Sequence, residues 1–273
     1  MTTYQDSVVR SAYFCVMQSY KLNQYLISLC LLFLSQVVYA QEEPSSVSEN
    51  FIAFGAQYGF QIPAGDLADR FGSNFAVNFS LDYYNKRLNG YFGLETQIQF
   101  GSQVKEDVLA PLRLSSGAIL GDNGQLGQIF LRRRGFYIGA YVNKTIVPSK
   151  KNKSSGLTLG VGLGVLEHSV RLQNDLENVG QLNGDFAKGY DRLTRGPALK
   201  QAITYQHVGA NRNVNYSIGI TVFEAFTDSV RAINFDTGLP AAGSRVDLLI
   251  SLDAKWYIPL ISRNSRTEEE VFY

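Results

Sequence analysis

Residues 52–62 have the sequence IAFGAQYGFQI, in which the character of the side chain changes at every position. The even-numbered residues are mostly large and apolar or aromatic, whereas the odd-numbered residues are glycine, alanine and glutamine. Successive side chains of a β-strand point to opposite faces of the sheet, so a period of two places the large apolar residues on one face. The stretch therefore predicts a strand with one apolar and one polar face.

Seven further stretches alternate in the same way, and each has about the 9 to 11 residues with which a tilted strand crosses a bilayer. They are residues 74–84, 91–100, 136–147, 157–165, 199–208, 214–222 and 246–258. Short and long connections alternate between the eight stretches. If every strand crosses the same layer, all short connections lie on one side of it and all long connections on the other. We predict an all-β fold, an eight-stranded antiparallel up-and-down transmembrane β-barrel with long surface loops and short periplasmic turns.

A soluble eight-stranded barrel of the lipocalin kind is the alternative, because its strands also have one apolar face. The polar face here is rich in glycine, glutamine and asparagine, with few charged residues. A face turned to water usually carries many lysines and glutamates, so this composition favours the membrane form.

The N-terminal residues predict export. Lys21 precedes an apolar stretch at 25–33, and the small-residue site Val38-Tyr39-Ala40 is followed by a polar segment. This order is typical of a signal peptide, and the apolar core is shorter than the roughly 20 residues of a membrane-spanning helix. We predict cleavage between Ala40 and Gln41, with Met17 as an alternative start. The predicted parts are a signal peptide (1–40), a polar segment (41–49), the outer-membrane barrel (50–260) and a C-terminal tail (261–273).

Removal of residues 1–40 also removes both cysteines, so no thiol remains for a disulfide, a metal site or catalysis. The whole chain has 25 basic and 24 acidic residues, and loss of Arg10, Lys21 and Asp6 leaves 23 of each. A net charge of zero excludes a general binder of nucleic acid. We expect no cofactor, no metal and no small-molecule substrate.

An eight-stranded barrel has an interior only wide enough for its own side chains, and charges enclosed there must be paired. The alternation places a polar network in this interior. Its predicted members are Gln57, Asp82, Glu95, Gln97, Lys200, Asp247, Asp253 and Lys255.

Catalysis has little support. The sequence has two histidines, and His207 falls on the predicted lipid face. His168 stands between Glu167 and Ser169, but neighbours in a strand point to opposite faces and cannot converge on one site. We therefore predict that the chain is not an enzyme.

Two regions are candidates for binding. Arg132, Arg133 and Arg134 end the second long loop at the expected height of lipid head groups, where guanidinium groups suit the phosphates of lipid A. Pairing with loop carboxylates is the alternative. The third long loop, 172–197, mixes apolar and charged residues, so we expect it to be ordered against the second long loop or a protein partner. Its candidate contact residues are Phe186, Tyr190 and Arg192.

Several stretches resemble an outer-membrane β-barrel family of Bacteroidota, and the resemblance extends over nearly all of the mature chain. They include IPAGDLADRFG (62–72), VKEDVLAPLR (104–113), RRRGFYIGAYV (132–142), GDFAKGYDRLTRGPAL (184–199), INFDTG (233–238), RVDLLISLDAKWYIPL (245–260) and EEEVFY (268–273). The resemblance implies a small barrel of the outer membrane, of the kind that accompanies type IX secretion or other envelope machinery.

The leading functional hypothesis is thus a non-enzymatic integral outer-membrane barrel, structural or an accessory subunit of a larger envelope complex. Its expected partners are outer-membrane lipid, lipopolysaccharide and proteins of the same membrane. A solitary surface receptor or adhesin, and a narrow channel for small solutes, are the alternatives.

Overall fold

The computed structural model describes residues 50–262, except 123, 151, 153, 174–178, 183, 210–214 and 242. The predicted signal peptide, its cleavage site at Ala40 and Gln41, the polar segment 41–49 and nearly all of the C-terminal tail lie outside the described residues. No helix within the described ranges is long and apolar enough to cross a membrane.

Ten strands account for most of the described residues. They are β1 (Phe51–Gly65), β2 (Asn74–Asn85), β3 (Gly90–Gly101), β4 (Ile119–Leu120), β5 (Leu126–Gly127), β6 (Phe130–Pro148), β7 (Gly156–Gln173), β8 (Thr194–Val208), β9 (Asn215–Ser229) and β10 (Arg245–Ser262). A short helix, α1 (Asp66–Arg70), follows β1, and 3₁₀ helices occupy Ala110–Leu112, Gly180–Leu182 and Phe186–Gly189.

Eight of these strands form one closed sheet in the order β1-β10-β9-β8-β7-β6-β3-β2, with antiparallel neighbours throughout. The predicted eight-stranded antiparallel up-and-down barrel is therefore confirmed. The register can be followed once around the barrel by stepping from each residue to the one directly opposed on the next strand. A circuit that starts at Phe54 returns to β1 at Ala64, ten residues further along the strand. Eight strands with this displacement tilt by about 40 to 45° from the barrel axis.

The two ends of the barrel differ in their connections. Of the described residues, the long-loop end carries those within 66–73, 102–129, 179–193 and 230–244, whereas the short-turn end carries those within 86–89 and 149–155 and residue 209. The hairpin β4–β5 and helix α1 belong to the long-loop end, and the alternation of the sequence did not predict them. Strand β6 is also longer than expected, because it begins at Phe130 and includes all three arginines at 132–134.

The outer wall of the barrel is apolar. Leu94 and Val161 are more than 60% exposed on this wall, whereas Asp82, Glu95 and Gln97 are buried in the lumen. Outward aromatic residues are found at two levels: Tyr83, Phe92, Tyr205, Tyr216 and Trp256 toward the short-turn end, and Phe75, Phe100 and Phe136 toward the long-loop end. Phe54, Tyr58 and Phe79 also face outward and lie between these levels. The tilt and a rise of about 3.3 Å per residue separate the two levels by about 20 Å. Aromatic girdles flank the apolar band of a transmembrane barrel at about this spacing.

Candidate functional site

Two buried ion pairs occupy the middle of the lumen. Lys200 Nζ lies 2.5 and 2.7 Å from the two carboxylate oxygens of Glu95, and Asn78 Nδ2 donates to the same carboxylate at 2.8 Å. Lys255 Nζ lies 2.9 Å from Asp82 Oδ2 and donates to Tyr141 Oη at 2.6 Å. Tyr141 in turn donates to Asp82. Glu95, Asp82 and Lys255 thus each have an opposite charge and a further hydrogen bond, as burial of an ion requires. The Lys200 ammonium has its second contact with an aromatic face, 4.4 Å from the centre of the Tyr141 ring.

Inward glycines make room for the large side chains of this layer. A Cβ at Gly93 would lie 2.4 Å from the ring of Tyr141, and one at Gly164 would lie 2.6 Å from the ring of Tyr137. At these two positions the glycine therefore makes room for a tyrosine of the neighbouring strand, and no unusual backbone angle is involved.

The predicted polar network is divided among separate clusters. Asp253 accepts a hydrogen bond from Ser251 Oγ at 2.5 Å, and Gln57 lines the same small lumen cavity. Gln97 belongs to a row of amides nearer the long-loop end, where it accepts from Gln61 Nε2 at 3.2 Å and from Gln99 Nε2 at 2.9 Å. The predicted residues are all buried or half-buried, but they do not form one continuous network.

Arg133 is part of the amide row, and the prediction that it contacts lipid A is wrong. Its guanidinium donates to Asn74 Oδ1 at 2.7 Å and to Gln99 Oε1 at 2.9 Å inside the lumen. It also lies 5.0 Å from the centre of the Phe71 ring. The physical reason is that residues 132–134 continue strand β6, where alternate side chains must point to opposite faces. Arg132 and Arg134 point outward.

Asp247 lies close to His168, nearer the long-loop end than the row of amides. His168 Nε2 is 2.7 Å from Asp247 Oδ2, Thr227 donates to the same oxygen at 2.5 Å, and Thr194 Oγ1 is 3.1 Å from His168 Nδ1. The set Thr194, His168 and Asp247 contains the residue types of a catalytic triad, and no local sequence signal indicates it because its members are up to 79 residues apart. All three are buried and His168 packs edge-on against Phe71, so the arrangement holds the cap to the barrel.

Aromatic side chains close the short-turn end. Tyr84 and Tyr91 have ring centres 4.9 Å apart, and Phe51 and Tyr257 extend the cluster on either side. Tyr84 Oη donates to Asn89 Oδ1 at 3.0 Å and lies 2.8 Å from Ser154 Oγ, so two of the turns are attached to the cluster.

The long loops close the other end, and we call their described residues together the loop cap (those within 66–73, 102–129, 179–193 and 230–244). The cap and the top of the barrel share an apolar core. Its buried members include Leu67, Phe71, Val108, Leu109, Ile119, Ile129, Val170, Val179, Leu182 and Tyr190. Such a core gives the loops the packing of a small soluble domain.

One carboxylate joins the loops of the cap. Glu106 of the second long loop accepts from Arg70 Nε at 2.8 Å and from Arg192 Nε at 2.7 Å. The Arg192 guanidinium also binds the Asp236 carboxylate through two hydrogen bonds of 2.9 and 2.6 Å. Arg70, Glu106, Arg192 and Asp236 come from the first, second, third and fourth long loops, so this network includes all four.

The charges around Glu106 favour its ionised form. Partial burial opposes ionisation, but the hydrogen bond from Arg192 and the charges of Arg70 and Arg192 outweigh it, and they hold the pKa of Glu106 below its ordinary 4.5.

The described part of the third long loop packs against the second and fourth loops, and two of its predicted contact residues are not available to a partner. Arg192 is enclosed in the Glu106 network, and Tyr190 is buried beside Phe235 with ring centres 5.8 Å apart. Phe186 alone of the three predicted residues is exposed, at 65%. The sequence could not distinguish apolar residues that stabilise the loop from those that remain on its surface.

No group of three or more metal-ligating side chains is gathered within the described ranges. The lumen cavity beside Gln57, Tyr141 and Lys200 has a volume of about 20 Å³, which is room for about one water molecule.

These features define a class of protein: a small membrane β-barrel with an apolar outer wall, a filled polar lumen and an ordered loop cap. No protein-family model matches the chain, and a comparison with curated proteins finds no match. Among solved structures, the chain is similar to Ail, the attachment invasion locus protein of Yersinia pestis. The identity is 10% over 77% of this chain and 99% of that chain, with a TM-score of 0.39. It is also similar to a major outer membrane protein from Thermus thermophilus, at 11% identity over 76% and 99% of the two chains and a TM-score of 0.38.

Proposed function

We propose that the chain is a non-enzymatic barrel of the outer membrane that acts as an accessory subunit of an envelope complex, with the loop cap as its docking surface for protein. The observation that carries this proposal is the cap itself. Ordering a loop costs about 1 to 2 kcal/mol per residue, so a barrel whose only task is to span a membrane gains little from an ordered cap.

The cap keeps apolar side chains on its surface although it has a core of its own. Leu120 and Leu126 are directly opposed in the β4–β5 hairpin and are 57% and 59% exposed. Other exposed members are Leu114, Phe186 and Leu239. Because the hairpin belongs to an ordered cap, a partner that covers these side chains would lose little conformational entropy on binding.

The location in the outer membrane rests on the apolar wall and its two aromatic levels, which match a transmembrane barrel in composition and spacing. The resemblance to Bacteroidota barrels that accompany type IX secretion or barrel assembly supports a role beside larger machinery. A channel is less well supported, because paired charges fill the described lumen and side chains close both of its ends.

The test is co-purification of the full-length protein from its native membrane in mild detergent, after cross-linking. The informative variant is the double substitution Leu120→Ser and Leu126→Ser. The matched control is Leu88→Ser, which changes a leucine of similar exposure, 54%, in a turn at the short-turn end. We expect the hairpin variant to lose a specific partner that the wild type and the control both retain.

An identical set of co-purified proteins in all three samples would contradict docking through the hairpin. A protein that purifies alone, but whose hairpin variant no longer attaches cells to a surface, would instead support the receptor or adhesin. Steady conductance across a planar bilayer would support the channel.

A further inference from the structure

Three arginines form an outward-facing group at the long-loop end, which we call the arginine rim (Arg132, Arg134 and Arg171). Arg132 and Arg134 lie on β6, and Arg171 is directly opposed to Arg132 on β7. Arg134 is opposed to Ser169, whose side chain also points outward. The rim thus occupies two adjacent strands, and its side chains are partly or fully exposed.

The rim begins where the apolar wall ends. Phe100 and Phe136 belong to the aromatic level toward the long-loop end, which we call the upper level. The register and tilt place the three arginines about 5 to 12 Å beyond that level, in the direction of the long loops. An apolar band about 25 Å tall is flanked by girdles at both interfaces. The guanidinium groups therefore lie at the depth of the polar head groups of the leaflet that faces the long loops.

Among the described residues, the arginines of the rim have no carboxylate partner of the kind that other arginines of this end have. Arg70, Arg113, Arg192, Arg195, Arg231 and Arg245 each lie within 4.0 Å of an aspartate or glutamate oxygen. Within the described ranges, no carboxylate forms an ion pair with Arg132, Arg134 or Arg171. Arg132 Nε donates to the amide oxygen of Gln173 at 2.9 Å, and its guanidinium lies 5.7 Å from the centre of the Phe130 ring.

Like charges that are directly opposed on neighbouring strands repel each other. The pair Arg132 and Arg171 is such an arrangement, and an anion between the two guanidinium groups would convert the repulsion into attraction. A phosphate suits this position, because its oxygens accept paired hydrogen bonds from arginine.

We propose that the arginine rim is a binding site for the phosphate groups of an anionic lipid in the leaflet around the long loops. Arg132 and Arg171 bind one phosphate between the strands, Arg134 approaches it from the edge of the apolar wall, and the acyl chains lie along Phe136 and Ile138. The site is on the outer wall and is independent of partner docking through the cap.

The test measures binding of diphosphorylated lipid A to the full-length protein in detergent micelles, with dephosphorylated lipid A and inorganic phosphate as further probes. The triple variant Arg132→Gln, Arg134→Gln, Arg171→Gln removes the rim. We expect it to bind diphosphorylated lipid A at least about tenfold more weakly than the wild type, since it loses the charge-assisted hydrogen bonds from the rim to the phosphate. Dephosphorylated lipid A should bind wild type and variant alike.

A second variant, Ser169→Glu, keeps all three arginines and introduces a carboxylate opposite Arg134. We expect it to weaken binding of diphosphorylated lipid A by about threefold to tenfold through competition for the guanidinium groups. The control is Lys144→Gln, which removes an exposed outward cation of the same strand at the short-turn end and should leave the affinity unchanged. Heat-dependent mobility in gel electrophoresis shows that each variant is folded.

Equal affinity of the wild type and the triple variant for diphosphorylated lipid A would overturn the proposal. So would an equal loss of affinity in the Lys144→Gln control, which would indicate general charge attraction. Inorganic phosphate that binds the wild type as tightly as the lipid does would show a site for free phosphate and would overturn the lipid assignment.

Discussion

The interior of the barrel is polar, whereas the interior of the loop cap is apolar. The wall encloses ion pairs such as Glu95 with Lys200 and exposes leucine and phenylalanine, whereas the cap encloses leucine and valine and carries its ion pairs around the core. The difference follows from the medium outside each region. Hydrocarbon around the wall favours apolar side chains there and leaves the polar ones inside, while water around the cap reverses the preference. Polar and apolar side chains thus exchange places within one chain, and the exchange occurs at the aromatic level toward the long-loop end.

The largest expected effect concerns the ion pairs in the lumen of the barrel. Lys200→Met leaves the Glu95 carboxylate buried without its cation, and we expect this to lower the free energy of unfolding by about 3 to 5 kcal/mol. Urea titration of the full-length protein in lipid vesicles measures it. The double variant Lys200→Met with Glu95→Gln should recover most of the loss, because no buried charge remains. A loss below about 1 kcal/mol for the single variant would show that water reaches the lumen freely.

The exterior of the wall gives the next effect. Leu94→Arg places a charge on the apolar wall, with an expected cost of about 2 to 4 kcal/mol in the same titration. Gln97→Asn, on the same strand but in the lumen, should cost less than about 1 kcal/mol because it retains an amide. Equal costs for the two variants would mean that the assignment of inside and outside is wrong.

A smaller effect is expected in the core of the cap. Leu109→Ala removes a fully buried side chain, and we expect a cost of about 2 kcal/mol, at the low end for such a change because the loops can relax. The readout is faster cleavage within residues 102–129 by a protease added to the outside of intact vesicles. The control Leu114→Ala, in the same loop but 45% exposed, should be cleaved at the wild-type rate. If the control were cleaved as fast as Leu109→Ala, burial in the core would not explain the protection.

The smallest effect is a pH dependence of the same cleavage rate. Because the pKa of Glu106 is lower in the folded cap than its ordinary 4.5, ionised Glu106 stabilises the cap fully above that value, and the contribution is lost as the pH falls below it through the folded pKa. Water reaches this carboxylate in part, so we expect a change of less than about 1 kcal/mol. Glu106→Gln should be cleaved faster at neutral pH and lose this part of the pH dependence. An identical pH profile in both proteins would assign the effect to another carboxylate.

The barrel wall could be predicted from the sequence because alternate residues of a strand point to opposite faces, so apolar and polar residues alternate along each strand. Residues 52–62 and 246–258 show which side chains enter the lumen, and the structure places Gln57 and Asp253 there. The alternation did not give the partner of each charge, since Lys200 and Glu95 are 105 residues apart and their contact depends on the tilt of the strands.

The cap could not be predicted in the same way, because its contacts lie between loops that have no period. Nothing in the sequence around Glu106 indicates Arg70 or Arg192 as partners, and the short hairpin β4–β5 lacks the length of a clear strand signal. The three arginines at 132–134 show the boundary between the two regions. The sequence pattern assigns them to the end of a loop, yet β6 continues through them and turns Arg133 inward.

The Glu106 network also has a consequence for the order of assembly. Arg70 follows the first strand of the barrel and Asp236 lies between the last two, so the complete network of Arg70, Glu106, Arg192 and Asp236 requires the final hairpin, β9–β10. A barrel that still lacks its final hairpin has three of the four loops but not the residue that fixes Arg192 from the other side. The complete network is therefore present only in a barrel whose final hairpin is in place, and a protein that recognises the closed cap would bind such a barrel.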